Sequence, residues 1–142
     1  MTNKPRPPTR SSPKSPQTDG DGNHIYNHIL LSLPREECNL LLSKLEFVRL
    51  KTYHVLHEPG DTLKSVYFCN TGLISILAVF PDGKSVEVGL VGKEGFIGVP
   101  LVTGFRTAST RAVTQIEPRV TLAPVHCCAR LRPTWLNFTV TT

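Results

Sequence analysis

Gly83-Lys84-Ser85-Val86-Glu87-Val88-Gly89-Leu90-Val91-Gly92-Lys93-Glu94-Gly95-Phe96-Ile97-Gly98-Val99-Pro100 is the stretch whose reading decides the fold. Four glycines, at 89, 92, 95 and 98, punctuate short apolar, β-branched runs. Glycine lets the chain turn at positive φ or lets a second backbone approach closely. A chain that turns so often while staying apolar is wrapping a small antiparallel roll. Gly95-Phe96-Ile97-Gly98 reads as a tight apolar bend whose following N–H groups can face an anion.

Upstream, Leu73–Phe80 and Ser85–Leu90 flank Pro81-Asp82-Gly83-Lys84, a hairpin signal in which Asp-Gly supplies the turn dihedrals. Further strands are expected at Phe47–Leu50, Val55–Leu56, Val66–Cys69, Thr110–Ile116 and Arg119–Leu122. Glu58-Pro59-Gly60-Asp61 and Asn70-Thr71-Gly72 are expected to separate them as turns. This spacing fits a mainly β fold, an antiparallel jelly-roll-like β-roll, and not a βαβ fold. Before it, the apolar residues between Ile25 and Leu45 fall at helical spacing and predict two short helices, about 25–32 and 34–44. Pro34 suits the first turn of the second, with Glu36 and Glu37 at its positive dipole end.

The edges read differently. Residues 1–22 mix five prolines with Ser, Thr, Lys and Arg, which predicts a disordered leader without the apolar core of a signal peptide. Residues 23–123 are the expected domain, and 124–142 follow neither period. No apolar run reaches the ~18 residues of a membrane span, so a cytoplasmic protein is expected. The net charge is +5, yet residues 22–118 hold nine basic and nine acidic residues. The excess sits at the two ends, so direct nucleic-acid binding is not expected.

The stretch from about Asn27 to Leu122 resembles the N-terminal effector domain of Crp/Fnr-type bacterial regulators. The resemblance rests on Leu33-Pro34, Val55-Leu56 with Glu58-Pro59-Gly60-Asp61, Val66-Tyr67-Phe68 before Gly72, Pro81-Asp82-Gly83-Lys84, Gly95-Phe96-Ile97-Gly98 and Ser109-Thr110-Arg111-Ala112. It implies a cyclic-nucleotide-binding type of β-roll and a pocket drawn from Val88, Gly89, Phe96, Ile97, Gly98, Val99, Ser109, Thr110 and Arg111. In nucleotide-binding members a glutamate follows the glycine at Gly98 and accepts from the ribose hydroxyl. An arginine about eleven residues after that glycine pairs with the cyclic phosphate. Here Val99 stands at the glutamate position, and the arginine position falls near Ser109, with Arg111 two residues on. Arg106 or Arg111 could serve if the 103–108 loop shifts register. The bland reading of Arg111 is a strand arginine facing solvent or pairing with Glu87 or Glu117.

The resemblance therefore implies a ligand-sensing or degenerate effector domain with a small anionic ligand, a cyclic nucleotide (cAMP or cGMP) among the candidates. The family's regulators carry a dimerisation helix and a helix-turn-helix after the roll. With about 20 residues left, this chain is expected to be the sensor half, a truncated regulator without its own DNA-binding domain. A homodimer, or an interaction module pairing with a full-length regulator, is the alternative. A cupin-like metal enzyme is the remaining rival, but it needs a His-x-His with further ligands on facing strands, and none occurs. His54 and His57, three apart, point to opposite faces of a strand. Cys38, Cys69, Cys127 and Cys128 form no iron–sulfur or disulfide framework. No catalytic triad can be nominated, so no enzyme and no metal site is expected.

Overall fold

The computed structural model describes residues 17–18 and 22–124. Strands β1 (Gln17–Thr18) and β2 (His24–Ile25) form a two-residue antiparallel ladder. Among the described residues, pairing reaches into the stretch read as a leader through Gln17 and Thr18, and its partner strand carries Ile25, which is 1% exposed. Residues 1–16 and 19–21 of that leader, and the tail from residue 125 with Cys127 and Cys128, lie outside the described residues.

Helix α1 spans His28–Ser32 and α2 spans Arg35–Leu42. The first is shorter than its apolar period because Ile25 is taken into β2 and Asn27 stops the turn. The Asn27 side chain accepts from the Ile29 and Leu30 N–H groups, the N-cap arrangement. Pro34 precedes α2, with Glu36 and Glu37 in its first turn, as their dipole preference requires. Cys38 and Leu41 turn inward.

The body is antiparallel throughout the described residues. Strands β3 (Glu46–Arg49), β4 (Val55–His57), β5 (Ser65–Val79), β6 (Ser85–Val91), β7 (Phe96–Ile97) and β8 (Arg111–Pro124) form one sheet system. The order is β3-β8-β5-β6, with β4 on β8 and β7 on β5. The Pro81–Lys84 hairpin closes as its sequence dictates, Phe80 N–H donating to the Lys84 carbonyl at 2.8 Å.

Two expected breaks are not breaks. Asn70-Thr71-Gly72 and Glu117-Pro118 lie opposite one another, and β5 and β8 run on through both with shifts in register between Cys69 and Ile74. Gly72, at φ 82°, takes a bulge instead of a turn. Pro118 cannot donate to a ladder and so falls at that irregularity. The Pro118 carbonyl accepts from Leu50 N–H at 3.0 Å.

Alternation along β5 builds two cores. Val66 and Phe68 pack with Leu30, Leu33, Cys38, Leu41 and Leu101 beneath the helices. Cys69 and Ile74 pack with Ile97, Ala112 and Val120 inside the roll. No helix among the described residues is long and apolar enough to cross a membrane.

Candidate functional site

β7 lays Ile97 opposite Tyr67 and Phe96 opposite Phe68 on β5. Ile97 is 3% exposed and belongs to the core inside the roll. Gly98 then adopts φ 114° and heads a one-turn helix, α3 (Val99–Thr103). A Cβ at Gly98 would meet Val66 Cγ2 at 3.1 Å and the Ser65 carbonyl oxygen at 3.3 Å. The bend is therefore held tight against the start of β5. The N–H groups expected to face an anion are few: Pro100 has none, and Leu101 N–H is taken by the Gly98 carbonyl at 3.0 Å. Val99, at the position of the ribose-binding glutamate, is 53% exposed.

Arg111 opens β8 opposite Leu77. Its Nε donates to Glu58 Oε2 at 2.7 Å, so its partner is neither Glu87 nor Glu117. Glu87 instead accepts from the fully buried Ser75 hydroxyl at 2.6 Å. Glu58 is held by its own turn, its N–H donating to Asp61 Oδ2 at 2.8 Å. Gly60 N–H donates to the Ala108 carbonyl and Ala108 N–H to that of Asp61. These bonds fix the 105–108 segment against the 58–63 turn. They leave Arg106 exposed, with its carbonyl accepting from Leu63 N–H at 2.7 Å. Ser109 is exposed and Thr110 half-buried at the entry to β8.

Val88 and Gly89 lie on β6. Gly89 pairs with Ile76 and Glu87 with Leu77, leaving Val88 as the extra residue of a bulge, 60% exposed. Ser109 and Thr110 precede β8, and the other seven residues fall into two groups along β5. Val88, Gly89 and Arg111 gather at Ile76–Leu77, and Phe96 to Val99 gather at Ser65–Phe68. The 58–65 segment joins them, since Glu58 holds Arg111 and Ser65 lies against Gly98.

Two residues near this site were not nominated by sequence. Glu58 lies 53 positions from Arg111, and the only trace of it was its turn motif. His57 is 8% exposed, and its Nδ1 has no hydrogen-bond partner among the described residues. Burial pushes its pKa below the ordinary 6.5, against the opposing charges of Asp61 and Glu58. It borders a cavity of about 520 Å³ with Leu56, Asp61, Lys64, Ser65 and Tyr67. His54, by contrast, is exposed. Burial raises the Cys69 thiol to about 11, with Glu94 adding to the shift. That thiol is inert at neutral pH. Among the described residues no three metal-ligating side chains come together.

The family model for the cyclic nucleotide-binding domain matches residues 47–118. No curated protein matches the sequence. Among solved structures, the chain is similar to a cyclic nucleotide-binding-like protein from Brucella abortus: identity is 23%, TM-score 0.61, with 73% of this chain and 89% of that one covered. The N-terminal domain of a transcriptional regulator from Streptomyces coelicolor gives 18% and 0.64, covering 78% and 80%. The catabolite activator protein of Thermus thermophilus gives 19% and 0.63, covering 74% of this chain and 50% of that one. At these identities the likeness is one of fold.

Proposed function

Because the chain belongs to the cyclic nucleotide-binding domain family, we propose that it is the non-enzymatic effector domain of a Crp/Fnr-type transcriptional regulator, with a degenerate nucleotide site. The observation that carries this reading is the Arg111–Glu58 pair at 2.7 Å. Arg111 is the candidate phosphate ligand, and the chain's own carboxylate already engages one edge of its guanidinium. A cyclic phosphate must compete with that carboxylate for a charge-assisted bond of the same kind. Val99 removes a second contact: it offers no acceptor to a ribose hydroxyl, and at 53% exposure it does not enclose one either. The N–H groups after Gly98 supply little in return, since Pro100 donates none.

The ligand class left to the site is a small anionic effector that competes with Glu58 for Arg111 and needs no ribose contact. Calorimetric titration with cAMP and cGMP tests it. The expected outcome is no heat up to about 1 mM ligand. In Glu58→Ala, which removes the acceptor and frees the guanidinium, cAMP affinity rises at least about tenfold. Micromolar binding by the unmodified chain would overturn the degenerate reading.

A second reading, an interaction module pairing with a full-length regulator, is favoured by the exposure of Val86, Val88 and Leu90 at 54%, 60% and 53%. They lie on β6, the edge strand of the sheet, where unpaired backbone groups invite a partner. A Val88→Glu chain that still associates with the regulator as the unmodified chain does would remove it.

A further inference from the structure

At the other end of β8, eight residues from Arg111, the sheet places two cations face to face. β3 and β8 run antiparallel with Arg49 directly opposite Arg119. Residues so paired project from one face with Cβ atoms about 4.5–5.5 Å apart, and like charges there repel each other. Both arginines line one cavity of about 290 Å³, together with His24, Tyr26, Phe47 and Asn70. Among the described residues neither has a carboxylate within ion-pair reach; the two pairs formed are Lys84–Asp82 and Arg111–Glu58. The backbone is not free to relieve the repulsion by slipping. Thr71 Oγ1 holds Arg119 N–H at 3.2 Å, and the four-residue ladder of β3 on β8 has no shift in register.

Packing does not call for the two charges. β3 meets the roll through Val48, and Phe47 packs beneath the helices. The cavity wall beside the arginines is otherwise firm. Asn70 is 2% exposed and accepts from the Tyr26 and Asn27 N–H groups, and His24 and Tyr26 rings lie 6.1 Å apart.

We propose that this cavity binds a phosphate monoester, independently of the Arg111 site. Each guanidinium presents a planar fork that fits phosphate oxygens in bidentate fashion. A phosphate monoester carries about −1.5 to −2 charges at neutral pH, which balances two arginines where a carboxylate balances one. The His24 imidazole adds a hydrogen-bonding group at the rim, and Tyr26 and Phe47 give an apolar wall for the organic part.

The test is titration of the 142-residue chain with inorganic phosphate and phenyl phosphate, against sodium chloride at matched ionic strength. Backbone amide resonances of Gly22 to Tyr26 report on the cavity. Saturable shifts are expected with both phosphates, at lower concentration for phenyl phosphate, and not with chloride. Arg49→Gln and Arg119→Gln each weaken binding at least about tenfold, a loss of one charge-assisted pair. Arg119→Lys, which keeps the charge and the strand but not the fork, falls between. Shifts that chloride reproduces, or an affinity unchanged in Arg49→Gln, would overturn the proposal.

Discussion

A Cβ at Gly72 would sit 2.5 Å from the Ile116 carbonyl oxygen and 2.8 Å from Pro118 Cα. Both are backbone atoms of the neighbouring strand, so nothing flexible can give way. Gly98 is less crowded: a Cβ there would meet the Val66 methyl at 3.1 Å, with the Ser65 carbonyl oxygen and Val66 Cα at 3.3 Å. Alanine at Gly98 is therefore expected to cost about 1–2 kcal/mol from positive φ, with a smaller addition from these contacts. Alanine at Gly72 is expected to cost on the order of 3 kcal/mol or more, strain and overlap together. Urea unfolding of the two variants compares them directly. His57 gives a pH signature of known sign. Its pKa is lowered in the folded chain, so below pH 6.5 the unfolded chain takes up a proton that the folded one refuses. Stability is then complete above 6.5 and declines as the pH falls through the folded value. Melting temperatures between pH 7.5 and 5 should fall, and His57→Leu should flatten that dependence. Sequence made the glycine at 72 legible, because Asn-Thr-Gly asks for positive φ whether the chain turns or bulges. It could not make Glu58 legible as the partner of Arg111, because an ion pair across 53 residues is set by how the roll closes. Glu87 and Glu117, nearer in sequence, are not its partners.

Among the elements, α1 is tied down by polar bonds. Asn27 is fully buried, and its Nδ2 donates to the Cys69 and Gly95 carbonyls at 2.9 and 2.8 Å. Asn70 answers from β5, its Oδ1 accepting from Tyr26 and Asn27 N–H groups and its Nδ2 donating to Thr121 Oγ1 at 2.6 Å. Every member has partners, and removing one strands the rest away from water. Asn70→Ala should cost about 2–4 kcal/mol, from the groups left unpaired, and Asn70→Asp should also destabilise because it places a carboxylate charge at a position 2% exposed. Chemical denaturation followed by circular dichroism reads both. The period of two revealed β3, β4, β6 and the Pro81–Lys84 hairpin, whose turn residues carry their own geometry. It divided β5 and β8 where no division exists. A bulge and a turn draw on the same residues, and only the facing strand decides between them. The one-turn α3 is not legible in the sequence because five residues are too few to show a helical period, even with Pro100 in the first turn; Gly98 and Gly104, at φ 114° and 99°, enforce it from either side.

At the scale of the molecule, β5 carries two cores, one on each face. Phe68 lies under the helices and Ile74 inside the roll, both 0% exposed. A single strand shared by both ties their stabilities together, so the described body should unfold in one cooperative step. Ile74→Ala is expected to lower stability by about 2–5 kcal/mol. Far-ultraviolet circular dichroism and tyrosine fluorescence should shift their midpoints together, and a split between them would show that the cores melt apart. The roll itself was legible because glycine punctuation and the hairpin are local signals. The division of its site into two groups was not, since it depends on where along β5 each strand docks. That docking also bears on synthesis. The spine of the fold joins Ser65–Leu77 to Arg111–Pro124, so its two halves are far apart in the order in which residues leave the ribosome. The hairpin at 81–84 can form early, but β5 has no main partner until the chain has emerged past Pro124. Until then its apolar faces stand open to chaperones.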